Sequence, residues 1–141
     1  MKRRCRTQIL VEGAPELAET LSLEAEKTHE VRDVDNPSGG LVMMRMRDTA
    51  RRDAYFLGEV LVTEAKVRIG EILGIGLIRG DRPDLARQLA VIDAAFNVES
   101  SLIESWLSRL EAEKSRLTGI RSQEAAEILK TRVEFSTMES F

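Results

Sequence analysis

One cysteine, one histidine and three prolines are all that the 141 residues carry of those types. The lone thiol, Cys5, cannot close a bridge within the chain, so disulfides are excluded and a reducing compartment, the cytoplasm, is the expected setting. His29 has no carboxylate cluster near it in sequence, which argues against a self-contained transition-metal site and against a Ser-His-Asp or Cys-His arrangement. Aromatics are scarce, with four phenylalanines, one tyrosine and one tryptophan, so the core must be aliphatic. No apolar run approaches the roughly 20 residues of a membrane span. The basic start, Met1–Arg6, leads into an apolar run at Ile9–Val11 that is too short for a signal sequence. With 24 acidic against 21 basic side chains the formal charge is −3. That balance lacks the basic excess of a general nucleic-acid binder.

What is present suits a single domain, 1–141, of 43% hydrophobic and 32% charged residues. The cluster Lys2, Arg3, Arg4 and Arg6 reads as a solvated terminus or as a grip on something acidic. Thr7–Glu12 is a short helix or a partner-dependent arm, so that 1–13 forms a flexible or partner-bound segment. Pro15 and Glu16 then open a helix over Ala14–Glu26, with Leu17, Ala18, Leu21 and Ala25 on one face. A first strand is expected at His29–Val34, a turn at Asn36-Pro37-Ser38-Gly39-Gly40 and a second strand at Leu41–Arg47. The third, Ala54–Ile69, is apolar on both faces over most of its length. Such a strand is either covered on both sides or waits for another chain. The fourth is Ile72–Arg79. Asp81 and Pro83 announce a helix whose Leu85, Leu89, Ile92 and Phe96 share a stripe, with Asp81 as its cap. Helices at Leu102–Lys114, closed by Thr118-Gly119, and at Ser122–Met138 complete the expectation. The predicted fold is α+β: an antiparallel four-stranded sheet with an N-terminal helix and three C-terminal helices packed against it.

Few residues invite a chemical reading. Glu59 and Thr63 share a face of the third strand and Glu64 takes the other, so the two carboxylates cannot work as an acid–base pair. Gly74 and Gly76 lie inside a strand, which points to close approach of another backbone or of a ligand. The run GIGLIRG lacks the spacing and context of a nucleotide loop, since Gly80 falls one residue late. Asp93 lies so close to the stripe of its helix that burial beside an arginine is expected. Arg45, Arg47, Arg51 and Arg52 gather near one turn, facing either solvent, a triphosphate or a partner's carboxylates. No catalytic residue and no metal ligand is assigned. Glu59, Thr63, Glu64, Gly74, Gly76, Arg79, Asp81, Asp93 and Arg132 are the candidates for partner contact or packing.

The segments GEVLVTEAKV, GIGLIRGDRPDLARQLAVIDAAF and RVEFSTM, in that order, resemble the PhnG family, the G subunit of the bacterial carbon–phosphorus lyase core complex. The resemblance spans roughly Gly40 to Met138. It implies a structural subunit working with PhnI-, PhnH-, PhnJ- and PhnL-like proteins, in two copies per complex. It also implies a reaction of the assembly, in which an alkylphosphonate replaces the adenine of MgATP at the ribose anomeric carbon to give a ribose 1-phosphonate 5-triphosphate. The family brings no cofactor of the subunit's own, with MgATP as substrate of the complex, and no assigned catalyst. Two readings compete with an accessory subunit. One is a stand-alone enzyme using Glu59, Asp93 and nearby arginines, and the other a regulatory domain binding a ligand near Gly74 and Gly76.

Overall fold

A computed structural model describes residues 1–132. In chain order they form α1 (Arg3–Glu12), α2 (Pro15–Thr28), β1 (Val31–Arg47), β2 (Ala54–Ile69), β3 (Ile72–Arg79), α3 (Pro83–Asn97) and α4 (Ile103–Lys130). The sheet is an antiparallel meander of three strands in the order β1-β2-β3, not the four-stranded sheet expected. The two predicted strands flanking Asn36–Gly40 are one strand. Register shifts between Asp33 and Asp35 and between Asp35 and Ser38 absorb the surplus residues as bulges. A proline and two glycines are tolerated there because β1 is an edge strand, where a missing N–H costs little and a bulge leaves residues unpaired anyway. The long partner β2 continues the ladder past them, so local turn chemistry loses to pairing.

The helices are also distributed differently, two before the sheet and two after it. The break expected at Thr118-Gly119 does not occur, and α4 runs through Gly119. One interior glycine costs about 1 kcal/mol relative to alanine. Good helix formers on both sides, with the Glu111–Lys114 and Glu113–Arg116 pairs along the surface, offset that. The last part of the predicted Ser122–Met138 helix lies outside the described residues.

The helix α3 is the core of the molecule: Ala86, Ala90, Val91, Ile92, Ala94 and Ala95 are all fully buried. It lies on β2 and β3, and α2 packs on its other side. Ala65, Val67 and Ile69 of β2 meet it, as the period-two register requires. Trp106 of α4 is fully buried against Phe96, with ring centroids 5.8 Å apart. Its indole N–H donates to Glu24 of α2 at 2.8 Å, and Arg109 donates to the other oxygen of the same carboxylate at 2.7 Å. A buried tryptophan needs such a partner for its polar edge. No helix among the described residues is long and apolar enough to cross a membrane.

Candidate functional site

Gly74 and Gly76 seat α3. A methyl group at Gly74 would land on the Ala90 carbonyl and within 2.5 Å of the Ala94 nitrogen, and one at Gly76 on the Ala86 carbonyl and within 2.7 Å of the Ala90 nitrogen. Two glycines facing a row of alanines let helix and strand backbones touch, which leaves no room for a phosphate between them. Thr63, also fully buried, closes the next turn: its hydroxyl donates to the Gly80 carbonyl at 2.6 Å and accepts from the Arg82 N–H at 3.1 Å. The helix start therefore owes its order to Thr63. Asp81 is exposed and makes no capping bond, contrary to expectation.

Asp93 is buried at the centre of a polar lock. One oxygen accepts from Arg6 at 2.7 Å; the other accepts from Arg3 at 2.8 Å and from the Ile75 N–H at 3.2 Å. Arg3 also donates to the Ile75 carbonyl at 3.1 Å, and the buried Arg6 guanidinium stacks 4.0 Å over the centre of Phe96. Burial pulls the Arg6 guanidinium below its ordinary range, and Asp93 opposes that shift. Both partners came from the terminal basic cluster that the sequence left open as a solvated end. The overlooked signal was Arg6 standing three and four residues before Ile9 and Leu10, on the face of α1 that enters the core.

The other candidates do not converge. Glu59 is exposed on the strand pair opposite Met43, far along β2 from the lock. Glu64 pairs with Lys66 at 3.2 Å. Arg79 is exposed at the end of β3, and Arg132 is exposed just past α4, its N–H donating to the Leu129 carbonyl. The His29 Nε2 and the buried Ser100 hydroxyl are 2.8 Å apart, and that hydroxyl also accepts from the Leu102 N–H at 3.4 Å, a structural tie at the start of α4. Among the described residues no group of three or more His, Cys, Asp or Glu side chains could hold a metal.

The prominent surface is the far half of the β1–β2 hairpin. The ladder to β3 ends at Val62↔Arg79, while β1 and β2 remain paired out to Arg47↔Ala54. Eight residues of β2 at about 3.3 Å each carry this two-stranded ribbon roughly 25 Å past the body. Its pairs Leu41↔Leu61 and Arg45↔Phe56 extend the face that α3 covers elsewhere, and Val42↔Val60 and Met46↔Tyr55 form the other. Neither face is covered: on the first Leu41 is 65% exposed and Phe56 62%, and on the second Val42 and Tyr55 are each 47% exposed. At the tip a tight turn, with Arg52 at φ 58, sets Arg45, Arg47, Arg51 and Arg52 in solvent.

A second surface lies between α1 and the free edge of β3. It is a groove of about 650 Å³ floored by Leu10, Val11, Leu77, Leu89 and Ile92, with Arg3, Arg4 and Arg6 along it.

The comparisons with known proteins agree with the resemblance seen in the sequence. The family described as phosphonate metabolism protein PhnG matches residues 1–139. The "Alpha-D-ribose 1-methylphosphonate 5-triphosphate synthase subunit PhnG" of Rhizobium meliloti (strain 1021) is 37% identical over 117 residues, which cover 77% of this chain and 70% of that protein. A match along nearly the whole chain takes in α1 and its arginines as well as the hairpin and the glycine-seated helix, and the chain belongs to the PhnG family of phosphonate metabolism proteins.

Proposed function

We propose that this chain is an accessory subunit of a carbon–phosphorus lyase core assembly, supporting a ribose 1-methylphosphonate 5-triphosphate synthase and entering the assembly by its projecting ribbon. The substrates are those of the assembly, MgATP and an alkylphosphonate, with adenine released. The partners are PhnI-, PhnH-, PhnJ- and PhnL-like subunits, with two copies of this chain per complex, in the cytoplasm. The chain itself brings no cofactor and no catalytic residue.

The ribbon carries this reading. An isolated two-stranded hairpin is marginal in water, and contiguous exposed apolar surface of this extent marks an interaction site. Obligate interfaces look like a core cut in half, which is what a ribbon apolar on both faces resembles. The arginines at its tip suit a partner rimmed with carboxylates. The stand-alone enzyme loses its main support, because Glu59 sits on the ribbon and Asp93 is consumed by the lock.

Light scattering and co-purification test the proposal. The chain alone should self-associate, and co-expression with a PhnI-type subunit should give a defined soluble complex. Leu41→Lys with Phe56→Lys should abolish that complex while leaving Trp106 fluorescence native. A wild-type chain that stays monomeric when concentrated and fails to co-purify would overturn the reading. Adenine release from MgATP and methylphosphonate by the isolated chain would overturn its accessory role.

A further inference from the structure

The free edge of β3 is sealed along part of its length and open along the rest. Gly80 donates its N–H to the Leu61 carbonyl. Antiparallel alternation then aims the N–H and C=O groups of Ile78, Gly76, Gly74 and Ile72 at β2, and those of Arg79, Leu77, Ile75 and Leu73 away from it. Three of the outward groups are capped by side chains. Asn97 donates to the Leu73 carbonyl at 3.1 Å, Asp93 accepts from the Ile75 N–H, and Arg3 donates to the Ile75 carbonyl. Leu77, the next outward residue, has no such partner among the described residues. At that point β3 lines the groove beside α1. An unpaired strand edge is a template for another strand, and natural proteins usually block it. Here the block stops at Ile75.

The charge around the opening indicates what fits. Arg3 and Arg6 exceed what the single Asp93 carboxylate neutralises, Arg3 is half exposed, and Arg4 has no carboxylate partner among the described residues. Glu12, the other acid on the groove, is already paired with Arg121. Leu10 and Val11 of α1 and Leu89 and Ile92 of α3 supply the groove's apolar floor.

We propose that an extended segment of another subunit of the assembly adds as a fourth strand to the edge of β3 at Leu77 and Arg79, with apolar side chains in the groove and a carboxylate against Arg3 and Arg4. Strand addition gains affinity from main-chain bonds and specificity from the alternate side-chain pockets. This surface is distinct from the ribbon, although the proposal rests on the chain being a subunit.

Amide hydrogen exchange resolved to single residues, on the chain alone and in the co-purified complex, tests it. The Leu77 amide should exchange freely in the chain alone and slow by roughly 100-fold or more in the complex. Leu77→Pro removes an outward N–H that has no partner among the described residues, together with an exposed side chain, at an edge position where proline is tolerated. It should keep native Trp106 fluorescence yet weaken assembly by about tenfold, the worth of a lost interfacial hydrogen bond. Leu77→Ala keeps the amide and should assemble nearly as wild type; Arg4→Glu should weaken assembly. A Leu77 amide that exchanges equally fast in the complex overturns the proposal while leaving the ribbon reading standing. Protection in the isolated chain that rises with its own concentration means a second copy fills the groove, which also overturns it. If no complex forms at all, both readings fall.

Discussion

Removing the Asp93 carboxylate should be among the most damaging single changes in this molecule. Asp93→Ala leaves Arg6, whose side chain is only 7% exposed, charged and without its partner. It also strips the Ile75 N–H of its acceptor and frees Arg3, loosening α1 from the sheet edge. Breaking a buried ion pair from one side costs about 3–5 kcal/mol, and a deserted buried N–H adds about 1–3 kcal/mol. Solvent reaches the site from the half-exposed Arg3, so the lower end of the sum, about 4 kcal/mol, is the working value. Arg6→Met should cost less, because Asp93 keeps Arg3 and the Ile75 N–H. The double variant, Arg6→Met with Asp93→Ala, should regain part of the loss, since it buries no unpaired charge. The three form a double-mutant cycle with a coupling of about 1–3 kcal/mol. Urea unfolding followed by Trp106 fluorescence measures it, in a Leu41→Lys, Phe56→Lys background that keeps the protein dispersed. An Asp93→Ala variant within 1 kcal/mol of its parent (less than the lowest cost of a single deserted buried group) would refute the lock as a source of stability.

Three further outcomes follow from the geometry. Gly76→Ala should lower stability by about 1–3 kcal/mol by driving a methyl group into the Ala86 carbonyl, whereas Gly58→Ala, which meets nothing within 4 Å, should be close to neutral in thermal melts. Hydrogen bonding from Arg116, helped by the Ala14 N–H and opposed by burial, holds the Glu113 carboxyl down to about 2. A depressed folded-state value means its contribution is complete above the ordinary glutamate range and lost as pH falls toward 2. Glu113→Gln should therefore flatten the acid limb of a stability–pH curve and leave the neutral region less stable than wild type. Trp106→Phe should unpair one side of Glu24 and loosen α2 from α4, seen as faster exchange of the α2 amides.

The sequence showed the body of this fold better than its edges. The stripe Leu85–Leu89–Ile92 and the glycines of β3 were legible because each records one face of one element. Even the buried position of Asp93 could be read from its place on α3. What failed was whatever depended on a neighbour. Asn36–Gly40 has the chemistry of a turn, yet a long partner strand holds it extended. Thr118-Gly119 has the look of a helix end, yet the surrounding helix formers carry the chain through. The lock between Arg6 and Asp93 joins residues 87 positions apart, and no local pattern reports that distance. The uncovered ribbon was half visible: a strand apolar on both faces signalled missing cover without saying whether this chain supplied it.

The lock also imposes an order on biosynthesis. Arg3 and Arg6 are made before their acceptor, which follows 87 to 90 residues later. At elongation rates of about 5–20 residues per second, α1 waits roughly 4 to 18 s before it has anywhere to dock. The β1–β2 hairpin is made within that interval, after α1 and before Asp93, and its apolar faces are bare from the moment it emerges. Translation next to a nascent partner, or a chaperone held at the tunnel exit, would shield it during the seconds when the chain is least able to shield itself.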